Sequence, residues 1–567
     1  MSLADASARL TAPGSRFEME EVVIRGLRTR CWKHAPATLR DVLTTGRLYG
    51  NRDFLVYEDE RIGFESFWRA SSAIARELVS RGVGKGDRVA VIMRNLPEWA
   101  AAFYGAAVIG AIVTPLNAWW TGSELEFGLV DSGAKIAFAD AERLERIAEH
   151  LVNCPALERI YVSRYADELP HPIVARLEAV TGAAGVWLHL PDRSLPDVML
   201  APDDDVTILY TSGTTGRPKG ALGTHRNMNS NIMAAGFSAA RNFLRRGEPV
   251  PVLDPLTAPP RSALLSVPFF HATGSFAVLN PALFSGAKLV LMRKWDVEAA
   301  LQLIESEKIS QAGGVPTIAW QLLEHPARKK YDLSSLESVA YGGAPSAPEL
   351  VRKIMNSFPR SLPGNGWGMT ETSATCTHHS GEDYEHRPGS CGPPVAVCDL
   401  KIVGADGQTL PVGEIGELWA RGPNIVKGYW NRPHDTAETF VDGWVRTGDL
   451  ANLDEEGFCT IVDRAKDMLI RGGENIYCVE VENVLYEHPA VMDAALVPVP
   501  HHTLGEEPAA IVHLKPGHCT TEAELRAFVA GRLAAFKVPV KIVFWPETLP
   551  RNANGKIMKS ELKRTVA

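Results

Sequence analysis

The segment YTSGTTGRPKG, residues 210–220, carries more hydroxyls, glycines and cations than any packed core or regular element requires. Thr211, Ser212, Thr214 and Thr215 offer O–H donors. Gly213 and Gly216 let backbone N–H groups approach a ligand closely, and Arg217 and Lys219 add positive charge. Donors converging from one loop in this way suit a polyphosphate. The loop is not a Walker A loop, because the order G-x-x-x-x-G-K-[ST] is absent. A polar surface linker would share the composition, but the apolar run DVTILY (205–210) directly before it reads as a strand, and loops after such strands are where α/β sheets hold phosphates. Elsewhere, His271 stands beside two phenylalanines, Thr370 precedes Glu371, Asp449 and Arg464 lie near a change in texture, and Lys556 sits near the end. Singly, these read as a core histidine, a solvated loop, a surface ion pair and a solvated lysine.

The elements that must position these residues alternate between strand and helix. In FESFWRASSAIARELVSRG (64–82), Phe67, Ser71, Ile74, Ala75, Leu78 and Val79 recur at helical spacing, and Gly82 is a stop. A buried strand DRVAVIM (87–93) follows. Then come a helix opening at Pro97, a strand AIVTPL, a helix GSELEFGLVDSG and a strand KIAFAD (135–140). The pattern recurs in AKLVLM (287–292), VEAALQLIESEK (297–308), SVAYGG (338–343) and APELVRKIM (347–355). It predicts an α/β fold of layered parallel subdomains. After about residue 390, frequent turns and short alternating runs predict a small β-rich subdomain of antiparallel hairpins. The last hundred residues read as a separate α+β unit, with strands AALVPV and AAIVHLKP and a helix opened by a Thr521–Glu524 capping box. The charged segment DRAKD (463–467) separates the two, which gives an N-terminal domain 1–464 and a C-terminal domain 465–567. A chain of 567 residues is too long for one core, so several domains are required. The Pro-rich stretch 245–262 reads as an exposed loop.

Composition narrows the function classes. A net charge of −8 without a long basic run argues against nucleic acid as partner. WAAAFYGAAVIGAIVTPLNAWW (99–120) is uncharged and long enough to span a bilayer, but Pro115 and the helix start at Pro97 make it a buried helix and strand, so no transmembrane segment is expected. The N-terminal residues lack the apolar stretch of a signal peptide. Cys376, Cys391 and Cys398 lie near His378 and His379 at spacings that fit no common zinc pattern, so they read as reduced thiols of a cytoplasmic protein.

The loop at 210–220 resembles the signature of the adenylate-forming superfamily, which comprises acyl-CoA synthetases, peptide-synthetase adenylation domains and luciferases. Further matches follow in that family's order: PFFHATGS (268–275), YGGAP (341–345), GWGMTET (366–372), GELWARGPNIVKGYW (416–430), GWVRTGDL (443–450), DRAKDMLIRGGENIY (463–477) and PRNANGKIMK (550–559). The resemblance spans residues 210–559 and is nearest to fatty-acid or aryl-acid CoA ligases.

It implies the following roles. Thr211, Ser212, Gly213, Thr214, Thr215, Gly216 and Lys219 hold the β- and γ-phosphates of ATP. Thr370 and Glu371 handle Mg²⁺ and the phosphates. Gly342, Gly343 and Ala344, with Gly366, Trp367 and Gly368, flank adenine. Trp367 stands where the family usually has Tyr, so a phenolic hydroxyl is missing. Asp449 grips the ribose hydroxyls, joined by Arg464. Lys556 serves the adenylation step. Lys466 is the hinge about which the small domain turns, and Gly472, Gly473 and Glu474 then line a tunnel for CoA. His271 lies near the reacting carboxyl, and Thr273, Gly274, Gly314, Val315, Ile318 and Thr375 are pocket candidates. None is acidic, which favours an apolar acid, fatty or aromatic, and the run Gly313–Gly314–Val315 reads as leaving room for a chain. The expected enzyme is an AMP-forming acyl-CoA ligase. An acyl-AMP ligase loading a carrier protein, an inactive nucleotide-binding scaffold and a homodimer stay open as alternatives.

Overall fold

A computed structural model describes residues 1–211, 217–252, 254, 256–343, 346–358, 360–553 and 555–566. Among these, the strands form two large mixed sheets, an antiparallel sheet, a C-terminal sheet and an N-terminal hairpin. In the first large sheet, Arg88–Ile92, Ile112–Pro115, Ile136–Asp140 and Arg159–Ser163 run parallel. Asp205–Tyr210 joins them in parallel, and Gly220–Thr224 turns back antiparallel along it. The residues flanking the 210–220 segment therefore lie on two antiparallel neighbouring strands. In the second large sheet, Ser262–Leu265, Gln311–Gly314, Ser338–Gly342 and Leu362–Trp367 run parallel, and Thr377–Ser380 closes one edge antiparallel.

The uncharged stretch 99–120 resolves into the end of the helix Pro97–Ala107, every residue of it buried, and the strand Ile112–Pro115. No helix among the described residues is long and apolar enough to cross a membrane. This buried helix also positions the site. Trp99 stacks on Phe103 at 5.2 Å and on Phe269 at 5.0 Å between centroids, which pins the segment that leads into His271. Buried Asn95, just before the helix, accepts from the Phe269 N–H at 2.8 Å and donates to the carbonyl of Val267 at 3.1 Å. A buried amide satisfied from both ends fixes that backbone in one place.

Two expectations need correction. The helix Phe64–Ser80 buries Phe67, Ser71, Ile74, Ala75 and Leu78, but Val79 is exposed, because the position next to Leu78 has already turned off the core-facing stripe. Gly313 and Gly314 leave no space for a chain. A Cβ on Gly313 would lie 1.7 Å from the carbonyl oxygen of Ala340, and one on Gly314 2.8 Å from Ser266 Oγ. With φ of +142° and +133°, they let neighbouring strands close together in a backbone conformation that glycine tolerates.

The antiparallel sheet holds Asp399–Val403, Gly416–Arg421, Trp444–Leu453 and Cys459–Arg464. After Arg464, the next strand, Leu469–Arg471, belongs to the C-terminal sheet, whose centre is the long hairpin of Val491–His501 and Gly505–Leu514. That unit has its own apolar cores, one around Leu485, Leu496 and Val512 and one around Val497, Leu549 and Leu562. Its helix Glu522–Ala530 starts at Thr521 with both bonds of the capping box to Glu524.

Candidate active site

Residues from four elements converge. The strand pair of the antiparallel sheet sets Asp449 directly opposite Arg464, and Arg464 Nε lies 3.2 Å from Asp449 Oδ1. From the second large sheet, the buried indole of Trp367 donates its N–H to Asp449 Oδ2 at 2.8 Å. One carboxylate oxygen thus accepts from a neutral indole N–H and the other faces a charged guanidinium, which orients the group.

Two strand ends make a groove of backbone beside Trp367. Gly342 pairs with Gly366 across parallel strands, and a Cβ on Gly342 would come within 2.7 Å of the Gly366 carbonyl oxygen. Gly368 is tighter, since a Cβ there would lie 1.4 Å from Ala374 O. Gly343, at φ +74°, faces open space, as a residue alongside a flat ligand should. Ala344 lies outside the described residues.

Beyond Gly368, the turn Thr370–Thr372 buries Glu371. Burial raises its carboxyl above the ordinary range, against a hydrogen bond from Tyr429 and the positive charges of Arg464 and Lys556. The Tyr429 O–H donates to Glu371 Oε1 at 2.6 Å. A buried carboxylate with a neutral donor calls for a cation to compensate it. Among the described residues, no cluster of three or more His, Cys, Asp or Glu could hold a metal by itself. That fits Mg²⁺, which takes one or two protein oxygens and completes its shell with phosphates and water. Thr370 and Glu371 stand next to each other on this turn and are two oxygen-bearing side chains that could serve such an ion.

The phosphate loop is described at its two ends. Thr211 N–H donates to the Lys219 carbonyl at 2.9 Å, while Ser212, Gly213, Thr214, Thr215 and Gly216 lie outside the described residues. Lys219 forms an ion pair with Asp435, and its ammonium sits 5.2 Å from the centroid of Tyr429. Tyr429 therefore bridges the loop lysine and Glu371.

Lys556 is carried on a tight turn of the C-terminal unit, in which Gly555 (φ +72°) donates to the Asn552 carbonyl at 2.9 Å. The turn reaches the N-terminal body closely enough that a Cβ on Gly555 would lie 2.7 Å from Val315 Cγ2. Enclosure and the Arg464 guanidinium lower the Lys556 ammonium to about 8, opposed by Asp449 and Glu371. His271 feels the same charge. Burial, with Lys556 second, pushes its imidazole down to about 3, so it is neutral near pH 7. The short π-helical segment Thr273–Leu279 begins two residues later, and Gly274 packs against the Pro268 carbonyl. A cavity of about 220 Å³ opens between body and turn, lined in part by Trp119, Phe270, Val315 and Gly555, with Arg94 and Arg551 on its wall.

Gly472, Gly473 and Glu474 are not brought to this cluster. With φ of +61° and +92°, the two glycines form the turn of the hairpin joining Leu469–Arg471 to Glu474–Ile476, against Leu504 of the same unit. Lys466 lies in the connection between the two sheets and adds a smaller lowering at Lys556. Sequence reasoning missed Asn95, Tyr429 and Asp435. Tyr429 stood inside a quoted motif, but its partner is 58 residues away. Asp435 is 216 residues from Lys219 and carries no local signal.

Residues 44–430 match the family model described as AMP-binding enzyme, and residues 480–556 match the AMP-binding enzyme C-terminal domain. The chain is 34% identical over 500 residues to a feruloyl-CoA synthase of Amycolatopsis sp, covering 88% of this chain and 92% of that one. It is 32% identical over 545 residues to a long-chain-fatty-acid–CoA ligase of Bacillus subtilis (strain 168), covering 93% and 94%. Among solved structures, the anthranilate CoA ligase AuaEII in complex with anthranoyl-AMP superposes with a TM-score of 0.80 at 26% identity, covering 93% of this chain and 97% of that one.

Proposed function

We propose that this chain, which belongs to the AMP-binding enzyme family, activates an apolar carboxylic acid, fatty or aromatic, as its acyl-AMP and passes the acyl group to CoA. The observation that carries this reading is the convergence of Glu371, Trp367, Asp449, Arg464 and Lys556 from both units on one groove. A carboxylate is a poor acyl donor because its charge repels nucleophiles and oxide leaves badly. Forming the mixed anhydride with AMP supplies a leaving group. A carboxylate oxygen attacks the α-phosphorus, the bond to the β-phosphate bridging oxygen breaks, and pyrophosphate leaves.

The chain's own task is to cancel charge in a fixed geometry. Asp449, held by Trp367 and Arg464, accepts from the ribose hydroxyls. Gly342, Gly343 and Gly366 let the base lie against backbone, with Gly368 beside them, and the role expected of Ala344 falls outside the described residues. Lys219 and the loop Thr211–Gly216 hold the β- and γ-phosphates. Mg²⁺, held by Glu371 and Thr370, supplies charge neutralisation at the phosphates when bound. Lys556 donates to the carboxylate and the α-phosphate together as negative charge builds. Neutral His271, beside Phe270, shapes the wall near the carboxyl without adding a competing charge.

In the second step, the CoA thiolate sulfur attacks the acyl carbon, and AMP departs with the anhydride oxygen. We assign residues 1–464 to the body and 465–567 to a mobile domain that turns about Lys466. That turn withdraws Lys556 and brings the hairpin of Gly472, Gly473 and Glu474 to the CoA path. The cavity beside Phe270 and Val315 suits the apolar arm of such a thiol, with Arg94 of the body near its anionic groups. All eight cysteines are free and seven are buried, which suits a reducing, cytoplasmic setting.

The test is acid-dependent ATP–pyrophosphate exchange across C2 to C18 fatty acids, benzoates and cinnamates, followed by AMP release and thioester formation on adding CoA. Exchange without a thioester would redirect the acceptor to a carrier protein. No exchange with any acid would reduce the chain to a nucleotide-binding scaffold.

A further inference from the structure

Lys556 stands on a short turn at the far end of a separate domain, yet its role demands placement within a fraction of an ångström. An isolated turn of this size does not hold such a position. Its support is a line of side chains that the reaction chemistry does not use. The Arg551 guanidinium donates through Nη2 to both oxygens of Asp493, at 2.7 and 2.8 Å, and through Nη1 to the carbonyl of Gly555, at 2.6 Å. Gly555 immediately precedes Lys556. The Asp493 side chain is 4% exposed, so this pair is out of water. A register irregularity between Val491 and Asp493 lies beside that carboxylate in its strand. Asp493 also accepts from the Tyr486 O–H at 2.7 Å. The Tyr486 ring lies nearly parallel to that of Trp320, a residue of the body, at 12° and 6.5 Å between centroids.

We infer that Arg551 and Asp493 are positioning residues for Lys556, and that Tyr486 against Trp320 registers the assembly on the body during adenylation. The inference rests on the reading of Lys556 as the adenylation lysine. Arg551 suits the task because one rigid guanidinium reaches both carboxylate oxygens through Nη2 and a carbonyl through Nη1 at once, whereas a lysine ammonium is a point charge on a flexible stem. The Arg551–Asp493 pair lies inside the C-terminal unit and survives a rotation of that unit, but the Tyr486–Trp320 contact crosses to the body and does not. The line therefore acts when Lys556 is docked and is idle in the thioester step.

The two half-reactions separate this role from simple structural support. In the full chain, R551K should lower acid-dependent pyrophosphate exchange about tenfold or more, as loss of alignment does. Thioester formation from supplied acyl-AMP and CoA should stay within about twofold, which also shows that the domain is folded. D493N should show the same split. Y486F, which deletes one hydroxyl and keeps the ring on Trp320, should lower exchange about threefold and spare the second step. Equal losses in both half-reactions, or undiminished exchange in R551K, would overturn the inference. K556A is run beside them. If K556A keeps exchange, the reading of the lysine itself fails. If K556A loses exchange while R551K does not, only the positioning role falls.

Discussion

The alkaline limb of adenylation tests the electrostatics of the site most directly. In the proposed adenylation step Lys556 acts as an ammonium, and enclosure together with Arg464 lowers it from the ordinary 10.5 to about 8. The active form is the protonated one and its pKa is depressed, so activity is present below pH 8 and is lost as pH rises through it. By simple titration, about nine tenths of the free enzyme carries the charge at pH 7 and about one tenth at pH 9. The value of kcat/KM for ATP, measured by pyrophosphate exchange at acid concentrations well below saturation, should therefore fall about tenfold between pH 7 and 9, because under those conditions this ratio reports the free enzyme. The limb in kcat should lie at higher pH, since bound triphosphate favours the ammonium. K556R, charged at every accessible pH, should erase the limb even though its absolute rate is lower. A kcat/KM that stays level to pH 10, or a limb near 8 that persists in K556R, would refute the assignment.

Three further outcomes follow from named contacts. W367F keeps an aromatic face but removes the N–H that holds Asp449. Loss of a hydrogen bond to a charged group should raise KM for ATP roughly tenfold with KM for the acid unchanged, read from initial rates. D435N frees Lys219 from its ion pair before ATP arrives. Because both side chains are partly exposed, KM for ATP should fall by no more than about fivefold, with kcat preserved, and a rise would show that Asp435 helps to place the lysine. Lys466→Pro should keep pyrophosphate exchange and lose thioester formation, and a variant normal in both would remove the hinge from Lys466.

What could be read in advance was whatever depends on a few neighbouring residues. The capping box at Thr521 and Glu524, the helix start at Pro97 and the stop at Gly82 are short-range choices, and the structure shows them where the chain spells them. The ordered motifs were legible for the same reason, because each is a short contiguous run, whether it lies on a strand, as GWVRTGDL does, or on a turn, as MTET does. Misreadings came where a residue has two local meanings. Gly313 and Gly314 could open a pocket or admit a neighbouring strand, and only the position of Ala340 and Ser266 decides between them.

The sequence by itself determined the class of chemistry and the alternation of strand and helix, and it singled out Trp367, Glu371, Asp449, Arg464 and Lys556 but not Asn95, Tyr429 or Asp435. Only the tertiary structure decided which groups meet. Trp367 and Asp449 lie 82 residues apart, and Tyr429 and Glu371 lie 58 apart. Lys556 reaches the groove from another domain, on a turn steadied by Arg551 and Asp493. The physical reason is range. Backbone conformation answers to neighbours within a few residues, but a hydrogen bond or a shifted ammonium answers to whatever the packed sheets bring within a few ångströms.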